Sequence, residues 1–275
     1  MPLYPIDPSD RKPVGRTGET VSAIGIGTWA IRDPHSMKEA LVYAFTHGID
    51  NVDTAEMYGS GEAERIVGEA VREVGRDNVF ITTKLLPHRF RSPDLAVKAM
   101  RASLERLGVR YVDLVLIHWP DDYASIEEQV RSLETLAEKG LTRYIGVSNF
   151  GEDLLARALE ACRKYEIVAD QVHYSIVHRY PERGLLNLAI DRGVLVQAYT
   201  PLERGRVAEI PVLREIGEKY GKTPVQVALN YLISRPMVSA IPKSERVERV
   251  REFIGAMGWR LSPEDLERLE GLPPV

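Results

Sequence analysis

Four side chains of this 275-residue sequence have the types and positions to carry proton chemistry together: Asp53, Tyr58, Lys84 and His118. Three stand where apolar runs end, in Asn51-Val52-Asp53, Ile81-Thr82-Thr83-Lys84 and Leu116-Ile117-His118-Trp119, and Tyr58 lies in the segment after Asp53. A free tyrosine, with a pKa of about 10, is a poor proton donor at neutral pH. A lysine cation beside its hydroxyl favours the phenolate and lowers that pKa. An aspartate paired with the lysine keeps it charged and aimed, and a histidine orients a carbonyl oxygen or helps relay the proton. Such a set protonates an oxygen on which negative charge develops, as carbonyl reduction requires. General acid catalysis of this kind contributes roughly 100- to 10,000-fold. None of the four supplies a hydride, so a nicotinamide is implied. Each also has a plainer reading: Asp53 starting a turn, Lys84 solvated, His118 satisfied at a strand end, Tyr58 packed. Convergence favours the chemical reading, because an unpaired charge at the end of a buried strand is costly.

To converge, these residues need strands that end on one face. Eight apolar, β-branched-rich runs cover residues 23–26, 49–52, 79–83, 112–117, 144–147, 167–169, 194–198 and 238–241. They are apolar throughout rather than alternating, which suits strands buried on both faces. Helix signals fill the stretches between them. Ser36-x-x-Glu39 and Ser125-x-x-Glu128 read as capping boxes. Ser92-Pro93, Thr223-Pro224 and Ser262-Pro263 place a cap before a first-turn proline. Apolar residues recur at helical spacing over 94–107. Eight strand–helix units predict one (β/α)8 TIM barrel, a single domain over 1–275, with a short hairpin at Val14–Val21 before it. Asp53, Lys84, His118 and Ser148 lie 31, 34 and 30 residues apart, as successive strand ends of a barrel would. A doubly wound sheet would need a glycine-rich turn after its first strand; Gly25-Ile26-Gly27-Thr28-Trp29-Ala30 lacks the third glycine.

Composition narrows the class. The net charge of −4 carries no basic footprint, so nucleic acid is not an expected partner. Cys162 is the sole cysteine, which excludes an internal disulfide and a cysteine-ligated zinc. The six histidines are scattered without a His-Glu-x-x-His, which disfavours a metal hydrolase. No secretory leader or membrane-length apolar run is present, so a cytoplasmic location is expected. With 27 Arg and 9 Lys against 5 Asn and 4 Gln, the chain suits a protein that works hot; a GC-rich genome would give a similar arginine bias.

Over nearly its whole length the chain resembles an aldo-keto reductase. The matching segments are Ile24–Trp29, Val52–Gly59, Ile81–Lys84, Leu114–Pro120, Ile145–Phe150, Ala198–Leu202 and Ile241–Ser244. The resemblance implies a catalytic tetrad of Asp53, Tyr58, Lys84 and His118, with Tyr58 as proton donor. It implies that Ser148, Asn149 and Gln171 hold the nicotinamide carboxamide, that Tyr199 stacks on the ring, and that Thr200, Pro201 and Leu202 line the pyrophosphate. Gly27, Thr28, Trp29, Asp53, Ile241 and Pro242 complete the implied cofactor contacts. At the adenosine end, Lys243 and Ser244 are expected to open a helix whose N-terminus attracts phosphate, with Arg249 on a 2′-phosphate. NADP is thereby favoured, with NADH possible. Glu252 matches the family's adenine-contacting acid, whereas Phe253 stands where an asparagine usually contacts the base, so it is expected to stack on or pack beside adenine.

Trp29, Met57, Tyr58, His118 and Trp119, with Phe150, are the expected substrate pocket. A short loop after the seventh run and an end close behind the last helix predict an open site of broad specificity for small-molecule aldehydes and some ketones, in a monomer or weak homo-oligomer with no membrane partner. Two other classes stay open: a cofactor-binding regulatory protein on the same fold, and an aldolase or isomerase using Lys84 as Schiff-base nucleophile, which its pairing with Asp53 disfavours. His173 and His178 receive no role.

Overall fold

The structure, a computed structural model, describes residues 1–273; Pro274 and Val275, the end of the expected domain, lie outside the described residues. Two short strands, β1 (Arg11–Pro13) and β2 (Thr20–Ser22), pair antiparallel. Eight parallel strands follow: β3 (Ile26–Gly27), β4 (Asn51–Asp53), β5 (Phe80–Leu85), β6 (Val112–Ile117), β7 (Thr142–Ser148), β8 (Ile167–His173), β9 (Leu195–Tyr199) and β10 (Val238–Ala240), each beside the next. The seam between β10 and β3 is closed by backbone bonds from Gly25 N to Ala240 O at 2.8 Å, Ala240 N to Ala23 O at 2.9 Å and Gly27 N to Pro242 O at 2.9 Å. The result is the expected barrel, its hairpin starting three residues before the predicted one.

Gly25 shows why the seam needs glycine. A Cβ there would lie 2.0 Å from Asn51 Oδ1, and Asn51 is pinned by its amide to Ser22 O (3.0 Å) and Ser22 Oγ (2.9 Å). Below, Val14 and Val21 of the hairpin pack with Phe80, Leu114, Leu116, Val168, Ala169 and Leu195 as the barrel floor. Outside, helices cover the strands. Ser125 and Glu128 form the expected capping box of Ile126–Glu138, and Ser92 caps Pro93–Leu107. Helix α1 (Pro34–Thr46) is capped by Asp33 instead of Ser36, because Pro34 already occupies the first turn and Ser36 donates back to the Asp33 carboxylate. Among the described residues no helix is long and apolar enough to cross a membrane.

Candidate active site

Side chains alternate inward and outward along a strand. Lys84 follows Thr82 and Phe80 on the inward face of β5, and Thr83 between them turns outward to Glu64 at 2.7 Å. Residues at or just past the strand ends therefore meet at one mouth: Gly27, Asp53, His118, Ser148, Gln171 and Tyr199 line a trough of about 900 Å³, with Lys84 fully buried beside Asp53. The Lys84 ammonium, fully buried, donates to both Asp53 oxygens at 2.7 Å, to Thr54 O at 3.0 Å and to the Tyr58 hydroxyl at 3.1 Å. Tyr58 opens a short 3-10 turn, Tyr58–Gly61, in which Gly59 and Ser60 are left-handed, and this turns its ring back over the mouth. The His118 ring meets the Tyr58 ring edge-on, with centroids 5.7 Å apart.

The electrostatics correct one expectation. Burial pushes the Tyr58 phenol above the usual tyrosine value; Lys84 pulls it down, Asp53 pushes it up again, and the net direction is upward. The phenol therefore stays protonated in the resting site, and Lys84 limits the rise without reversing it. Burial also pulls at Lys84, but Asp53 and then Tyr58 outweigh it and hold the ammonium above its ordinary value. A cation so held is no Schiff-base nucleophile. His118 is lowered to about 3, first by burial and then by Lys84, so the ring is neutral and carries no relay proton at neutral pH. Its Nδ1 has no partner among the described residues. A proton placed on Nε2 would leave His118 able to donate to a substrate oxygen.

A register shift between β7 and β8 sets Ser148 opposite Gln171. Ser148 Oγ and Asn149 N both donate to Gln171 O, at 2.8 and 2.9 Å. Asn149 adopts the left-handed region at φ 60, and its amide turns back to His118 O at 3.0 Å. Gln171 donates from Nε2 to Asp53 (2.7 Å) and to Gln197 (3.2 Å), which leaves its side-chain oxygen Oε1 for a ligand. Gln197, inward on β9 two residues before Tyr199, was missed in the sequence although period-two spacing marks it. Asp170 is fully buried, and neither of its oxygens makes a hydrogen bond of good geometry among the described residues; burial holds its carboxyl well above the ordinary range, against the weaker pull of the Phe150 backbone N–H beside it.

Thr200, Pro201, Leu202, Ile241 and Pro242 line the trough, and Trp29, Met57 and Trp119 stand exposed at its mouth. Thr28 instead is buried, its hydroxyl on Asp53 O. Phe150 is 1% exposed and packs in the core, because the left-handed backbone at Asn149 breaks the alternation that would have set it on the same face as Ser148. The expected helix start also moves. The helix after β10 spans Val247–Ile254 with Arg246 at its cap, so Lys243 and Ser244 sit in the preceding loop. Lys243 bonds Ala30 O at 3.0 Å and pairs with Glu245, whose carboxylate also accepts from Arg32 N and Asp33 N at 3.0 Å. Glu245 thereby staples the two loops flanking this end of the trough, and no motif in the sequence marked it. Arg249 pairs with Glu252 at 2.6 Å. Phe253 forms part of the trough wall but is 3% exposed, its ring packed into the core, not presented as a stacking platform.

A model of the aldo/keto reductase family matches residues 23–273. The methylglyoxal reductase DkgB of Yersinia pestis is 33% identical over 251 residues, covering 90% of this chain and 91% of that protein. An aldo-keto reductase of Mycobacterium avium is 36% identical over 256 residues, covering 90% and 85%. Among solved structures, the thermostable aldo-keto reductase Tm1743 in complex with the inhibitor epalrestat superposes with a TM-score of 0.90 at 39% identity, covering 94% of this chain and 98% of that one. An aldo/keto reductase from Klebsiella pneumoniae in complex with NADP and acetate gives 0.89 at 31% identity, covering 97% and 96%.

Proposed function

The chain belongs to the aldo/keto reductase family, and from that premise we propose that it reduces aldehydes and some ketones to alcohols with NADPH, Tyr58 giving the proton. The observation that carries this is the Lys84 ammonium bridging the Asp53 carboxylate and the Tyr58 hydroxyl at the floor of the trough. A dinucleotide held in the trough would supply the hydride. The chain's residues do the rest. Neutral His118 donates to the carbonyl oxygen and orients it. Tyr58 passes its proton to that oxygen as charge develops there, and the phenolate left behind is stabilised by a cation already in place, so no reorganisation is needed at the moment of transfer.

The trough fits a dinucleotide. The free Gln171 side-chain oxygen Oε1, with Asn149 and Ser148 beside it, suits a carboxamide, and the half-buried Tyr199 ring, which lines the trough, suits the nicotinamide face. Arg32, Lys243, Arg246 and Arg249 gather at the far end, where a 2′-phosphate would make NADP the tighter ligand. Glu245 and Glu252 offset two of these cations, so NADH stays within reach. The apolar mouth of Trp29, Met57 and Trp119 suits varied small carbonyl substrates. We assign the chain to one barrel domain working in the cytoplasm as a monomer or weak homo-oligomer. Tyr58→Phe tests the assignment: aromatic-aldehyde turnover should fall roughly 100- to 10,000-fold, while titration still finds NADPH bound, and more tightly than NADH. Turnover near the wild-type rate in Tyr58→Phe would overturn it.

A further inference from the structure

Behind Tyr199, on the side away from the trough, lies a stack that the chemistry above leaves unused. The His173 ring is parallel to the Tyr199 ring, 14° between planes and 5.5 Å between centroids. His178 in turn lies flat on His173 at 3.9 Å and 8°. The edge of His173 is fixed as well: Nε2 donates to Glu203 Oε1 at 2.8 Å. The Tyr199 hydroxyl donates to Asn149 Oδ1 at 2.8 Å. A ring held at Cβ and at its hydroxyl can still turn about the axis joining those two points; a flat neighbour that is itself held on face and edge removes that rotation.

Glu203 links this stack to a second element. It belongs to the segment after β9, and its backbone is left-handed at φ 47, as is that of Arg204 at φ 57. Left-handed backbone is unfavourable for a residue other than glycine, so the turn needs outside bonds to hold it. His173 supplies one. The same turn carries Arg204 and Gly205 to the wall of the trough, and the Arg204 guanidinium lies 5.4 Å from the Trp29 ring on the opposite rim. One imidazole therefore touches the plate under the expected nicotinamide and the anchor of the loop beside the expected pyrophosphate.

We propose that His173 is a positioning residue for the cofactor: through its stack on Tyr199 and its bond to Glu203 it holds ring and loop in register and slows release of the dinucleotide. The inference rests on the reading that the nicotinamide lies on Tyr199. It concerns residence, not chemistry, since His173 reaches neither the Tyr58 hydroxyl nor the trough itself.

Stopped-flow release of NADPH from the full chain, followed by nucleotide fluorescence, tests it. His173→Phe keeps a flat ring and loses the bond to Glu203; Glu203→Ala loses the same bond from the other side. Each should release NADPH about tenfold faster, the effect of about 1.4 kcal/mol. The double variant should be no faster than either single one, because both remove one interaction. Glu203→Gln, which retains an acceptor oxygen, should release more slowly than Glu203→Ala. Single-turnover hydride transfer from bound NADPH should match wild type in all of them. Wild-type release rates in His173→Phe, or additive effects in the double variant, would overturn the role of His173. Tyr199→Ala separates the two levels. If it binds NADPH as tightly as wild type, the stacking reading itself fails. If it weakens binding while His173→Phe releases NADPH at the wild-type rate, only the present inference fails.

Discussion

Tyr58 is pulled in two directions, and the balance decides its role. Burial disfavours the phenolate, and the Asp53 that holds Lys84 in place also repels it. Lys84 alone would make the phenol more acidic, which is as far as residue types carried the reading. The sequence could name the partners but could not weigh burial against charge, since burial is a property of the assembled mouth. His118 illustrates the same gap: its place at a strand end was legible, its neutrality was not. That neutrality has a consequence for stability. The unfolded chain takes up the imidazole proton near pH 6.5 and the folded chain only near 3. Stability from neutral His118 is therefore complete above pH 6.5 and lost as pH falls from 6.5 toward 3, at a slope of at most about 1.4 kcal/mol per pH unit. Urea unfolding of His118→Asn should show a flatter decline across that window. An unchanged decline would mean that other groups carry it.

At the scale of elements, the apolar runs located all eight barrel strands, because a strand buried on both faces leaves a continuous apolar signature. Strand ends were less legible, and Phe150 was misplaced because the turn of the backbone after Ser148, with Asn149 left-handed, breaks simple alternation. Lys243 and Ser244, which follow the eighth strand, are expected to open the next helix; the helix begins only at Val247. Gly25 marks a constraint that sequence alone showed only as part of a motif. Gly25→Ala should cost about 1–3 kcal/mol through overpacking against the pinned Asn51. Measured by thermal or urea unfolding, a neutral effect would show that the seam can open without penalty.

At the scale of the whole molecule, ends distant in sequence are tied by buried ions. Arg235, with no exposed surface, donates to Glu270 at 2.7 Å and lies 4.3 Å from the Tyr231 ring. Tyr174 and Tyr231 both donate to Glu182, at 2.6 and 2.8 Å. Buried Lys12 joins the hairpin to this region through Asp7, Ile233 O and Arg235 O. Such pairs were invisible in sequence, because nothing local marks a charge that folding will bury. Removing one partner leaves the others uncompensated, so Arg235→Met should cost about 3–5 kcal/mol in urea unfolding; a loss well under 1 kcal/mol would show the network to be dispensable. All of this framework serves one mouth, where a buried phenol beside an ammonium is held to be the proton donor. The pH dependence of single-turnover aldehyde reduction, with NADPH already bound, tests that most directly. The account predicts a rate that holds through neutral pH and falls only as pH passes the usual tyrosine value near 10, with that fall absent from the residual rate of Tyr58→Phe. A rate that falls between pH 6 and 8 in wild type and loses that dependence in His118→Asn would contradict it, placing the transferred proton on the imidazole instead.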